Sequence, residues 1–369
     1  MLNLSQPLES GTQYEVWLLR DDGTKLTRLD QTGGFEFVKV ANDVGRFSIT
    51  VPPDFPSYYL APDRRVEFMR APTGSRLQQA FVGFLRSWKW GMTASGVETL
   101  TLSGVCPNDL LRRRIVAYTA VDASVDLTDY ADDMMKVIVI DNLGADAAAG
   151  RNLTTAGLSV EAELGLAPSV SLMFPWRPVL RTLQQIAEIS ATNGTDLYFG
   201  IYPNGNNFIF KTQINQPGQD RSFPVFGLGY GNLEEPELEY DHSREVTYVY
   251  CGAQGLGASR LTNEQEDTGR SGASLWNRCE AFEDARQHGA TTDIQAAAES
   301  ALEAGKPRRT FTARVRDSAN TRYGRDWHWG DRLPVVYRDV NLDAVVTRLL
   351  VRVDGSGQER LDAGLRAVD

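Results

Sequence analysis

The stretch FEFVKVANDVGRFSITVP, residues 35–52, decides the fold class. Phe35, Phe37, Val38 and Val40 precede the turn Asn42-Asp43-Val44-Gly45, and Phe47, Ile49 and Val51 follow it. Alternation with period two over short runs predicts two half-buried strands. The turn predicts a hairpin, with Gly45 supplying the positive φ that such a loop commonly needs. One face of this hairpin belongs in a core. The reading points to architecture rather than catalysis.

The same pattern continues outward in both directions. Runs at 14–19 and 25–29 flank Asp21-Asp22-Gly23, a strong hairpin signal. Further strands are expected at 66–69, 80–90 and 97–105, so residues 1–111 read as a first β-barrel domain. Residues 112–232 read as an α+β domain. One helix is expected at about 128–142, with Ala131, Met134, Met135 and Ile138 at helical spacing and Gly144 beyond it. A second is expected at about 178–192, with Pro178 at the first helical position and Asn193-Gly194 closing it. Runs at 196–202 and 208–212 flank Asn204-Gly205-Asn206 as another hairpin. Residues 233–369 read as a second β-barrel domain with strands at 237–240, 245–250, 310–316, 332–337, 344–353 and 358–366. A polar loop (254–274) and a helix (about 293–304, capped by Thr292) interrupt it at about 254–306. The fold class is therefore mainly β with α+β insertions.

Composition narrows the function. The 369 residues allow two or three domains, and 42% hydrophobic with 23% charged residues is ordinary for a globular chain. Lys and Arg number 38 against 48 Asp and Glu, a net charge of −10. A general nucleic-acid binder carries a basic field, so this balance argues against one. It suits a surface past which DNA moves without being held. Cys106, Cys251 and Cys279 are odd in number and have no close pair, which fits neither a disulfide framework nor a zinc motif. Reduced, buried thiols are expected, as in a reducing cytoplasm. The N-terminus lacks a signal-peptide pattern. No apolar run approaches the ~20 residues of a membrane span, so a soluble protein without membrane insertion is expected.

A search for chemistry assigns no site. His242, His288 and His328 show no ligand-type spacing such as H-E-x-x-H. Asp241 and His242 are adjacent, and neighbours on a strand point to opposite faces. His328, between Trp327 and Trp329, reads as a solvent-facing strand position. Gly272-Ala273-Ser274-Leu275-Trp276 lacks the last Gly of G-x-S-x-G. Gly227-Leu228-Gly229-Tyr230-Gly231 and Gly252-Ala253-Gln254-Gly255-Leu256-Gly257 match no phosphate-loop pattern and read as turns or bulges. Asp126, Asp129, Asp132 and Asp133 lack EF-hand spacing and stand at an expected helix start, where carboxylates suit the dipole. Arg112-Arg113-Arg114 is too short for a nucleic-acid stripe and reads as a solvated loop or an interface with an acidic neighbour. Nothing in the order of residues singles out a pair among 48 acids for glycoside hydrolysis. No catalytic, cofactor-binding or metal-binding residue is assigned, and no cofactor is expected.

An ordered series of phrases carries a resemblance. It runs through Tyr14-Glu15-Val16-Trp17-Leu18-Leu19, the hairpin of residues 35–52, and Asn108-Asp109-Leu110-Leu111-Arg112-Arg113-Arg114. It continues with Asp132-Asp133-Met134-Met135-Lys136, Glu245-Val246-Thr247-Tyr248-Val249-Tyr250 and Gly272-Ala273-Ser274-Leu275-Trp276-Asn277-Arg278. Arg322-Tyr323-Gly324-Arg325-Asp326-Trp327 and Trp329-Gly330-Asp331 close it. Over residues 14–366 the chain resembles the tail-hub proteins of siphoviruses, especially those of actinobacteria. That family is similar in plan to contractile-phage baseplate hubs, with two related β-barrels, α+β insertions and a trimer whose six barrels continue the tail tube.

The resemblance implies a virion structural protein without enzymatic activity, a homotrimer at the tail tip, made in the host cytoplasm. Implied partners are the distal tail protein ring, tail-tip or fibre proteins and the tape measure protein, with DNA passing through unbound. The chain stops at Asp369 just after its last expected strand, so receptor binding and wall degradation are expected of other proteins. The alternative is a carbohydrate-binding or cell-wall-degrading tip protein, with Trp327 and Trp329 on one strand face stacking on sugars.

Overall fold

The computed structural model describes residues 1–8, 10–92, 94, 96–117, 125–174, 176–253, 260–285, 291–316, 318 and 321–368. The expected hairpin forms from strands Gly34–Val40 and Arg46–Val51. Phe35, Phe37, Phe47, Ile49 and Val51 are all buried on one side, as period two requires. The turn differs from expectation in one respect. Asn42, not Gly45, takes the positive φ, at 55°. Gly45 serves close approach instead: a Cβ there would lie 2.3 Å from the Val38 carbonyl oxygen. Asn is among the few residues that enter the left-handed region readily. The Asn42 side chain also accepts the Phe199 N–H and donates to the Leu197 carbonyl, which ties the turn to a distant strand.

This hairpin sits inside a 13-stranded sheet. From one edge the order is Leu233–Asp241, Arg308–Val315, Glu359–Val368, Val340–Asp354, Gly34–Val40, Arg46–Val51, Glu98–Val105, Gln78–Met92, Arg65–Ala71, Gln13–Leu19 and Lys25–Arg28. Arg332–Tyr337 pairs with Val340–Asp354 off this path, and Phe226–Gly227 with Arg332–Tyr337. The seam between the two ends of the chain is antiparallel, with Val353 opposite Phe35, Val351 opposite Phe37 and Leu349 opposite Lys39. The first and last β regions share one apolar core, which includes Tyr14, Phe37, Phe68, Phe311, Trp327 and Leu349. The structure is mainly β, as expected.

The middle region has its own core. Helices Ala131–Leu143 and Val179–Thr192 pack over the hairpin Leu197–Asn204 and Asn207–Ile214. The second helix has a strong amphipathic stripe through Val179, Leu183, Ile186 and Ala187. Pro178 precedes it as its N-cap rather than as its first residue. The first helix starts later than expected. Thr128 to Tyr130 belong to the strand Val125–Tyr130, which pairs with Ser169–Phe174. That partner lies some forty residues away, beyond any local window.

A third, small core holds Val249, Cys251, Ile294 and Ala298, where helix Thr291–Ala304 covers strands Tyr248–Gly252, Thr262–Glu266 and Glu280–Asp284. The expected loop at 254–274 therefore contains a strand and a short helix, Thr268–Ser271. Thr262–Glu266 reads TNEQE and has no apolar residue. Its backbone pairing with Tyr248–Gly252, not its side chains, makes it a strand. Among the described residues, no helix is long and apolar enough to cross a membrane.

Candidate functional site

The residues weighed from the sequence resolve mostly into internal fastenings. His242 Nδ1 lies 2.8 Å from Glu245 Oε2 in the turn after Leu233–Asp241, and Glu245 is buried beside Arg270. Arg270 also donates to the Leu302 and Gly305 carbonyls, at 2.9 and 3.0 Å, and so holds the end of the last helix. His328 is not on a strand: it lies in a turn, where its N–H donates to Asp331. Asp331 also accepts the Gln219 N–H at 2.8 Å and the Arg221 guanidinium. Burial pushes the Asp331 carboxyl up, but His328, Gln219 and Arg221 outweigh it and hold it below the ordinary range. His288 lies outside the described residues.

The remaining motifs are similar. Arg112 and Arg113 both pair with the buried Asp109, and Arg113 reaches Asp63 at 2.9 Å. The acidic neighbour of the arginine run is thus internal. Asp126 and Asp129 lie on a strand, apart from Asp132 and Asp133 in the first helical turn. Asp132 accepts the Leu166 and Ala167 N–H groups, and Asp133 those of Leu164 and Gly165. Both pair with the fully buried Lys136, at 3.3 and 2.9 Å. Among the described residues no group of three or more His, Cys, Asp or Glu is placed to hold a metal. The run from Gly227 to Gly231 forms a strand end and a 3-10 turn, while residues 254–257 lie outside the described residues.

All three cysteines are free. Burial pushes the Cys106 thiol up to about 11, and its sulfur accepts the Gly45 N–H at 3.1 Å. Burial also raises Cys251. A reactive cysteine needs the opposite shift. Trp327, expected to face sugars, is 0% exposed and packs edge-on to Phe226. It belongs to the core, so Trp327 and Trp329 form no open platform.

Two further features stand out, to which the sequence alone assigned no surface role. The first is a recess of about 290 Å3 where all three regions meet, lined among others by Lys39, Phe81, Cys106, Tyr202, Pro217 and Trp329. The second is the Leu275-Trp276 tip, 98% and 90% exposed. Its base is fixed: Asn277 donates to the Arg270 carbonyl at 2.9 Å, and its own carbonyl accepts the hydroxyl of the buried Thr247 at 2.7 Å. Nearby, the open face of the small sheet carries Tyr248 and Tyr250, with Arg278 stacked 3.7 Å over Tyr248. An exposed, rigidly mounted Leu-Trp pair beside Tyr and Arg has the composition of a protein-binding surface.

The whole architecture is shared with solved tail proteins. The tail protein from Neisseria meningitidis MC58 matches with a TM-score of 0.57 at 14% identity, covering 96% of each chain. The 43 kDa tail protein of prophage MuSo2 from Shewanella oneidensis matches at 0.58 and 10% identity, over 96% of this chain and 98% of that one. A chain of the half-lidded Francisella PdpA–VgrG complex matches at 0.55 and 9%, over 96% of this chain and 57% of that one. The fold is thus that of phage tail proteins. No curated protein sequence matches the chain. The model for the siphovirus ReqiPepy6 Gp37-like proteins matches residues 15–365, and the chain belongs to that family.

Proposed function

We propose that this protein is a homotrimeric tail hub at the distal end of the siphophage tail tube, adapting a sixfold tube to a threefold tip. The observation that carries this reading is the family match over residues 15–365, on a chain whose fold coincides with tail proteins over 96% of its length. In this reading residues 1–111 and 233–369 act as two tube-type barrel domains and 112–232 as a peripheral α+β domain. The partners are the distal tail ring, the tip or fibre proteins and the tape measure protein. The protein does no chemistry of its own.

The large sheet supports a channel role. Its face away from the core carries Ser48 opposite Ser103 and Thr50 opposite Thr101, with Glu36 and Arg352 paired at 2.7 Å. Short hydroxyls and the Glu36–Arg352 pair share this face with the exposed Arg46, Arg348 and Arg360, so its positive charge is scattered rather than gathered into one patch. We assign this face to the DNA channel, with the net charge of −10 contributing acidity there. Native mass measurement tests the assembly: a species three times the chain mass is expected, and a strictly monomeric protein at all concentrations sinks the trimer. A trimer structure with a basic lumen sinks the channel assignment.

A further inference from the structure

Lys39 belongs to the strand that decides the fold. Period two puts it on the same side as Phe35 and Phe37, both buried in the main core. The next inward position thus carries a cation where the pattern calls for an apolar residue. Its chain ends in the recess of about 290 Å3 between the large sheet, the Leu197–Asn204 strand and the Trp329 turn. At ~30 Å3 per water, that space equals roughly ten waters, enough for an aromatic ring bearing a short acid.

The charge there is poorly answered. Among the described residues the Lys39 ammonium makes no ion pair or hydrogen bond, and its neighbour is the π face of Trp329, 5.1 Å from Nζ to the ring centroid. No Asp or Glu among the described residues lines the recess. The other titratable groups facing it are Cys106 and Tyr202, and burial raises both, which keeps them neutral. Burial lowers the Lys39 ammonium to about 8. Lys39 is half-buried, and a partly desolvated cation without an anion carries a cost, while an apolar wall beside it gives an anion's organic part somewhere to pack.

We propose that this recess binds a carboxylate attached to a flat apolar group, with Lys39 taking the carboxylate and Phe81 and Trp329 the apolar part. Two sources share that chemistry: a free aromatic acid, and the C-terminal carboxylate of a peptide ending in an aromatic residue. Because the recess joins all three regions, an occupant would clamp them together. The site stands independently of the trimer.

Calorimetric titration of the full chain tests it, using 3-phenylpropionate, its neutral amide, and Gly-Gly-Phe with a free or amidated terminus. The acids are expected to bind at least about tenfold more tightly than the amides. Binding should fall about tenfold per pH unit above about 8, as the ammonium loses its proton. Lys39→Met should abolish it while melting at or above the wild-type temperature, since an unpaired, partly desolvated charge is gone. Tighter binding of Gly-Gly-Phe assigns a chain terminus, and tighter binding of 3-phenylpropionate a free acid. Equal binding of acid and amide, no binding at millimolar concentration, or binding retained by Lys39→Met each overturns the proposal. The wild-type pH profile decides the matter should Lys39→Met fail to fold.

Discussion

Arg70 and Glu359, 289 positions apart, form a two-point buried ion pair, Nε to Oε1 at 2.9 Å and the terminal nitrogen to Oε2 at 3.0 Å. Their side chains are 2% and 6% exposed. The Tyr14 hydroxyl donates to the same carboxylate, and Arg70 also donates to the Tyr323 carbonyl. Arg70 comes from strand Arg65–Ala71 and Glu359 opens strand Glu359–Val368, so this pair bolts the first β region to the last.

Removing one partner strands the other charge in the core. Glu359→Ala is therefore expected to cost about 3–5 kcal/mol in denaturant unfolding, whereas the double change Arg70→Met with Glu359→Leu should recover most of it. A single variant within about 1 kcal/mol of wild type would show that the pair carries no such role.

Asp133 predicts an acid-sensitive segment. Burial pushes its carboxyl up, but the Lys136 ammonium and the Leu164 and Gly165 N–H groups outweigh that and depress it below its ordinary value. A depressed folded value means stabilisation that is full above the ordinary Asp value of about 3.9 and is lost as pH falls through the folded one. Protection of the Leu164 and Gly165 amides, relative to their intrinsic exchange rates at each pH, should fall over that range. Asp133→Asn should show the lower protection already at neutral pH and lose about 1–3 kcal/mol. Exchange indifferent to both changes would refute the anchoring.

Two strand glycines should behave oppositely. A Cβ on Gly104 would lie 2.0 Å from the Phe84 carbonyl oxygen and 2.4 Å from the Phe47 ring. Gly104→Ala is expected to cost about 1–3 kcal/mol or more through overpacking. At Gly91 the nearest atom is Thr99 Oγ1 at 3.8 Å, so Gly91→Ala should be neutral or stabilise by about 0.4–1 kcal/mol. Thermal melts of the two variants decide it.

Trp276 contributes little to folding because it is almost fully in water. Trp276→Ala should leave stability within about 0.5 kcal/mol. If the tip anchors an assembly contact, the same change should weaken that contact by about 2 kcal/mol, roughly thirtyfold. Sedimentation of the chain alone and with the tail proteins proposed as its partners measures this. Unchanged assembly in both settings would remove the tip from any interface.

Much of the fold was legible locally. The hairpin at 35–52, the helix Val179–Thr192 and the turns at Gly23 and Gly205 all follow from periodicity and turn chemistry within a few residues. The recess was half legible: alternation already puts Lys39 beside Phe35 and Phe37 on the inward face. Its isolation was not legible, because that depends on Trp329 and Tyr202, which arrive from far along the chain. Trp327 misled for the same reason. Its sequence neighbours suggested an exposed strand, while Phe226 and Tyr323 bury it.

By itself the sequence determined which residues of the 35–52 hairpin share a face, where the two long middle helices lie to within a few residues, and which groups lack catalytic spacing. These properties come from backbone geometry, with periods of 2 and 3.6 that act over a single element. Tertiary structure decided which strands pair. Gly34–Val40 lies beside Val340–Asp354, and the polar TNEQE becomes a strand, because a backbone N–H or C=O group bonds to any backbone. Side-chain pattern leaves that choice open, and it is settled only when both faces of the assembled sheet find their cover.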